Sequence, residues 1–284
     1  MSKILFPFQL NNDIYKEAYI AAVKIARNLN AELILLNAFE LDLQDDITEI
    51  LYHKMIKNKW IEAYNEIVKF NKYFLSTHAK TNDALNVRID HRFVHGEDIP
   101  VVTEIIQKEE IDLLIFPLSS NRKVNRRYMD CVKNEVFNYK TTSVLFLPQE
   151  YKYTEIENIL FTTDLKELNF NEYYFSEVLN YSNFFDAKIH FVHVNKTGNE
   201  IVENSTMKLI DRIIQKDNKH VFKSINANNI VNAIQSYIIQ ENIQLLSVVK
   251  SNLDFFQSFF HSSVSFEIID SINTPILLMN EKNI

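Results

Sequence analysis

The chain states one pattern twice. Ile4-Leu5-Phe6-Pro7-Phe8-Gln9 near the start is answered by Ile159-Leu160-Phe161-Thr162-Thr163-Asp164 in the second half, and the correspondence runs on toward both ends. A repeat of this length describes two similar domains rather than a solenoid of short units. Its 284 residues give each half room for its own core.

Within each half, short apolar runs alternate with segments of helical spacing. Lys3 to Phe8, Leu33 to Ala38, Leu113 to Phe116 and Ser143 to Leu147 read as strands buried on both faces, and Val87 to Val94 as a more exposed one. Between them, Ile14, Ala18, Ala21, Ala22, Ile25 and Leu29 recur at helical spacing. A long helix opens at Asp42 to Asp46, a third helix carries Ile99, Val102, Ile105 and Ile106, and a fourth carries Val132, Val136 and Phe137. The second half repeats the order: strands Ile159 to Thr163, Lys188 to Val194, Val221 to Ile225, Leu245 to Val249 and Ile276 to Met279. Its helices are expected near Asn171 to Phe185, Ile201 to Gln215, Ile230 to Gln240 and Ser258 to Asp270. Such alternation predicts α/β domains with a parallel sheet covered on both faces. The expected boundaries are domain 1 at 1–148, a polar linker at 149–156 and domain 2 at 157–284.

Composition narrows the function. No stretch approaches the ~20 consecutive apolar residues of a membrane span, and the N-terminus turns polar too early for a secretory signal. One cysteine, Cys131, cannot make an internal disulfide, which fits a reducing, cytoplasmic setting. A net charge of -7 argues against general nucleic-acid binding. Only two glycines, Gly96 and Gly198, occur where average usage would give about twenty.

Each half resembles the universal stress protein family, and the whole chain resembles its tandem, two-domain form. The resemblance rests on the opening strands with Asp164 after the second, on Val94-His95-Gly96, on Ile111-Asp112-Leu113-Leu114-Ile115 and on the closing strands. It implies two sandwiches of the adenine nucleotide alpha hydrolase-like type. Their last strands, Ser143 to Leu147 and Ile276 to Met279, would meet as an intramolecular pseudo-dimer, with further association into a homodimer.

ATP-binding members carry a GxxGx9G[ST] loop after the fourth strand, whose glycines bring backbone N–H groups close to phosphates. Here those positions fall on Pro117, Ser120, Asp130 and Cys131 in the first half and on Val249, Asn252, Ser262 and Ser263 in the second. Every glycine is replaced, and Pro117 has no N–H to give. The aspartate that the family sets against the nucleoside is Gln9 in the first half and Asp164 in the second. The resemblance therefore implies a non-enzymatic regulatory protein without a cofactor. The alternative is a sensor that binds ATP or AMP, with weak hydrolysis, at Thr163, Asp164, Ser262 and Ser263.

Other candidates each carry two readings. Arg122, Lys123, Arg126 and Arg127 read as a basic loop, either solvated or an anion site at Arg122 and Arg126. Phe255, Phe256, Phe259 and Phe260 read as core or as a plug where a nucleotide would enter. Cys131 reads as a packed thiol or as a redox switch. His190 and His193 should point to opposite faces of one strand, and His91 and His95 lie roughly 13 Å apart at strand rise, so neither pair forms a metal site. The Asp42, Asp45 and Asp46 run lacks the glycine and the spaced glutamate of a calcium loop. No catalytic motif is present.

Overall fold

The computed structural model describes residues 2–9, 14–41, 47–78, 87–119, 122–132, 136, 142–149, 151–162, 172–195, 210–212, 214, 219–249 and 274–280. Two compact units divide the chain, Met1–Thr142 and Ser143–Ile284.

The first unit runs β1 (Lys3–Pro7), α1 (Ile14–Asn28), β2 (Glu32–Phe39), α2 (Glu49–His78), β3 (Ile89–His95), α3 (Asp98–Glu109), β4 (Leu113–Pro117) and α4 (Arg122–Cys131). Its strands lie in the order β3-β2-β1-β4, and β1 pairs in parallel with both β2 and β4. Ile4, Leu5 and Phe6 are fully buried, as expected of a central strand covered on both faces. Ala63, Ile67, Phe70 and Phe74 of α2 are buried, and Tyr19 of α1 stacks on Phe70 with ring centroids 5.8 Å apart.

The second unit contains β5 (Ser143–Leu147), β6 (Asn158–Thr162), α5 (Glu172–Phe185), β7 (Lys188–Asn195), β8 (Val221–Asn226), α6 (Ile230–Gln240), β9 (Leu245–Val249) and β10 (Ile276–Met279). Their order is β5-β10-β9-β6-β7-β8. All described pairings here are parallel except β5 with β10, where Leu277 faces Leu145. The closing strands named in the sequence thus lie side by side. By repeat order β5 is the last strand of the first domain, but its pairing to β10 groups it with the second unit.

The repeat extends to register. Ile4 faces Leu33 and Leu113 in the first unit, and Ile159 faces Ile189 and Leu245 in the second. The Lys3 amide donates to Asp112 Oδ2 at 2.9 Å, and the Asn158 amide donates to Gln244 Oε1 at 2.9 Å. In return the Asp112 amide reaches Lys3 O, and the Gln244 amide reaches Asn158 O, both at 3.0 Å.

Four helix ends show how a glycine-poor chain turns. Asn30, Glu110, Asp186 and Asn242 follow α1, α3, α5 and α6 with φ of 48°, 55°, 52° and 50°. This left-handed position usually belongs to glycine, with Asn the common substitute. The amides beyond it close the helix ends: Ala31 to Ala26 O at 2.8 Å, Ala187 to Ser182 O at 2.8 Å, and Ile243 to Ile238 O at 3.0 Å.

One expectation is corrected. The basic cluster of Arg122, Lys123, Arg126 and Arg127 lies on α4 rather than on a loop. Asn125, Tyr128, Met129 and Val132 are buried beneath it at helical spacing, so Lys123, Arg126 and Arg127 are on the solvent side of an amphipathic helix. The long helix begins at Glu49, and the Asp42 to Asp46 run lies outside the described residues.

Candidate functional site

Ligands of open parallel sheets settle outside the carboxyl ends of the strands. In the first unit those ends are β1 and β4, with the starts of α1 and α4 beside them. The chain leaves β1 at Phe8, whose amide donates to Leu36 O at 2.9 Å and whose carbonyl accepts from Asn37 Nδ2 at 3.0 Å. The Phe8 ring is buried against Phe70 of α2, edge to face at 5.9 Å. Gln9, the counterpart of Asp164, is exposed.

The exit of β4 is closed by a side chain. Asn125, 2% exposed, accepts from the Ser119 amide at 2.9 Å and donates to the Ser119 carbonyl at 2.7 Å. The asparagine imitates a strand partner and consumes both backbone groups of a residue in the stretch where a phosphate loop needs free N–H donors. Pro117 contributes none.

Aromatic rings fill the space between the two exits. Phe6 meets Tyr15 of α1 edge-on at 6.2 Å, and Phe116 of β4 stacks on Tyr128 of α4 at 4.3 Å. The Tyr15 and Tyr128 hydroxyls hydrogen-bond to each other. Burial pushes both phenols up, Tyr128 to about 12, and the carboxylate of Asp98 adds to the shift. Asp98 is held at 2.9 Å by Arg127. Cys131 is buried, with Sγ 3.9 Å from Thr103 Oγ1. Arg126 is exposed on α4. The side chain of Arg122 and all of Ser120 lie outside the described residues.

In the second unit Thr163, Asp164, Asn252, Ser262, Ser263 and the four phenylalanines from 255 to 260 lie outside the described residues. What is described is a polar centre. Thr162 Oγ1, at the end of β6, and Ser247 Oγ, on β9 opposite Phe161, are buried without a hydrogen-bond partner among the described residues. His190 Nδ1 lies 2.9 Å from the Tyr237 hydroxyl and Nε2 lies 3.3 Å from Asn158 Oδ1. Burial holds the imidazole down at about 4. His193 bonds instead to Asn195 Oδ1 at 2.5 Å, so the two histidines serve different partners, as their spacing predicts. His95 Nδ1 lies 3.3 Å from the Tyr52 hydroxyl. No group of three metal-ligating side chains occurs among the described residues, and no described helix is long and apolar enough to cross a membrane.

Sequence reasoning missed the Asn125 clamp and the Tyr15–Tyr128 pair. The clamp had a signal, an amide side chain a few residues after a strand exit at the start of an amphipathic segment. The tyrosine pair had none, because its members are brought together only by the fold.

No model of a known protein family matches the sequence, and no curated protein matches it. Solved structures do. A universal stress protein from Archaeoglobus fulgidus DSM 4304 shares 11% identity over 99% of this chain and 97% of its own, with a TM-score of 0.68. A putative universal stress protein from Pseudomonas aeruginosa UCBPP-PA14 shares 11% over 99% and 93%, with a TM-score of 0.54. The cytoplasmic domain of a prokaryotic cation chloride cotransporter shares 9% over 98% and 95%, with a TM-score of 0.58. The chain has the universal stress protein fold.

Proposed function

From this fold we propose that the chain is a non-enzymatic regulatory or stress-response protein that works through protein contacts, with a first unit closed to nucleotides. The observation that carries the reading is the Asn125 clamp. A Ser119 N–H already donating to Asn125 Oδ1 at 2.9 Å is not free to donate to a phosphate. The rings of Phe6, Tyr15, Phe116 and Tyr128, buried and packed in pairs at the ends of β1 and β4, support the same reading. Association as a homodimer, or as paired halves of one chain, belongs to the same proposal.

A second reading draws support from the buried, unpartnered hydroxyls of Thr162 and Ser247. Buried polar groups normally find partners, and a nucleotide such as ATP or AMP in the second unit would supply them, with Thr163, Asp164, Ser262 and Ser263 as the residues the sequence nominates for it.

Thermal unfolding with ATP, ADP and AMP separates the two. A ligand at about 100 times its Kd stabilises the native state by roughly 2.7 kcal/mol. An unchanged transition supports the interaction protein. A saturable rise lost in Asp164→Ala assigns the second unit as a sensor. A rise that survives Asp164→Ala and disappears when the first-unit exit is altered overturns the closed first unit.

A further inference from the structure

Five of the seven exposed large apolar side chains among the described residues stand on one helix, α2. Trp60, Ile61 and Tyr64 are 47%, 42% and 49% exposed, and Ile50 is 83% exposed. Trp60 and Tyr64 stack in parallel at 5.8 Å, and Trp60 meets Phe93 of β3 edge-on at 5.3 Å. The rings are thus held in place from below while their outer faces meet water. At about 100° per residue, Ile50, Lys54, Lys57, Trp60, Ile61 and Tyr64 fall within an arc of roughly 120°.

Charge divides the helix. Glu62 is paired with Lys59 at 3.0 Å, Glu66 with Lys69, and Glu49 with His53 at 3.7 Å. Lys54 and Lys57, inside the apolar arc, have no ion pair among the described residues. The stripe is therefore apolar and aromatic with two unanswered positive charges.

We infer that this stripe of α2 docks an acidic amphipathic segment of another protein, whose apolar side chains cover Ile50, Ile61 and Tyr64 and whose carboxylates meet Lys54 and Lys57. The inference rests on the reading that this protein works through protein contacts.

Three other occupants fit less well. An extended polyanion, whether a membrane surface or a nucleic acid, needs many neutralised phosphates, and two lysines on a chain of net charge -7 supply few. A second copy using the same stripe about a twofold axis would gather four lysines in one interface with no carboxylate in either stripe to answer them. Strand addition along β3 is obstructed, because the His91 amide donates to Asp90 Oδ1 at 2.8 Å and the His91 carbonyl accepts from Arg92 at 3.1 Å. Side chains thus blunt the middle of that edge.

Trp60 is the only tryptophan of the chain, so its emission reports on this surface alone. The full-length protein is titrated with a synthetic helical peptide of Leu and Glu, with a Leu and Lys peptide of the same pattern, with phosphatidylserine vesicles and with a single-stranded oligonucleotide. The expected result is a saturable blue shift with the Leu/Glu peptide, weakened about tenfold by Lys54→Glu with Lys57→Glu, which also turns the protein toward the Leu/Lys peptide. Lys54→Gln with Lys57→Gln gives the same loss should the reversal disturb folding, as judged by circular dichroism.

An equal response to both peptides, a response only to vesicles or oligonucleotide, or a concentration-dependent dimer that shifts Trp60 unaided overturns the inference. A silent peptide titration with unchanged thermal transitions in nucleotide removes this surface and leaves the proposed function standing. A nucleotide response in the thermal series counts against the proposed function instead.

Discussion

His190 makes the second unit sensitive to acid by a calculable amount. Its ring is 2% exposed, bonded to Tyr237 and Asn158, and held neutral with a pKa lowered to about 4. Burial is the main cause; Lys188 and Lys223 add to it and Glu241 opposes it. In the unfolded chain the imidazole returns to about 6.5. Between the two values the unfolded state binds the proton and the folded state does not, so stability rises with pH across that window. The contribution is complete above about 6.5 and is lost as pH falls toward 4. At about pH 5 the linkage amounts to roughly 2 kcal/mol lost relative to neutral pH, or several degrees in Tm for a chain of this size. Denaturant unfolding followed by circular dichroism at about pH 7.5 and 5, for the parent and for His190→Gln, isolates the contribution of this ring from that of other histidines. The parent should lose about 2 kcal/mol more than the variant over that interval. Equal losses would refute the assignment of the acid sensitivity to this ring.

Two further substitutions probe the first unit. Asn125→Ala removes both bonds to the part-buried backbone of Ser119, so stability should fall by about 1–3 kcal/mol, read as a drop in the denaturation midpoint; a change under about 0.5 kcal/mol, typical of a plain surface site, would show that water replaces the clamp freely. Gly96→Ala places a Cβ at φ +148°, 3.0 Å from Val101 Cγ2, and should cost about 1–3 kcal/mol from backbone strain, again read from the midpoint, with an unchanged midpoint counting against the observed turn.

The sheets were legible because a strand covered on both faces must be apolar throughout, and Lys3 to Phe8 or Leu113 to Phe116 can be little else. Helix α4 reads as a loop because its arginines dominate the lettering, although Asn125, Tyr128, Met129 and Val132 keep the inward spacing of a helix beneath them. Glycine poverty was visible, but not its remedy: nothing local announces that Glu110 will take a left-handed turn with φ of 55°, since only the docking of α3 and β4 on the sheet compels it. Site geometry was the least legible part. That Pro117 lacks an N–H is written in the sequence, whereas the Tyr15–Tyr128 bond depends on two helices arriving beside the same strand ends.

The internal repeat also shows where the two units were free to part. At positions that build the sheet, different residues fill the same role. Asp112 and Gln244 each accept an amide from the start of the neighbouring strand at 2.9 Å, and Asn30 and Asp186 each turn a helix into the next strand with nearly equal φ. At the strand exits the roles themselves differ. After β1 a buried phenylalanine seals the first unit against α2, whereas β6 ends in Thr162, whose hydroxyl is buried without a described partner. Filling an exit with rings contributes apolar burial and removes the need to hydrate a polar cleft. On the proposed reading of a closed first unit, its chemistry lies on its outside, where Trp60, Tyr64 and two lysines with no ion pair among the described residues stand. The difference lies at the strand exits and not in the count of unpartnered groups: β1 gives way to a buried ring and β6 ends in a buried hydroxyl, while Asn37 Oδ1 and His91 Nε2 of the first unit, like Thr162 Oγ1 and Ser247 Oγ of the second, are buried without a hydrogen-bond partner among the described residues.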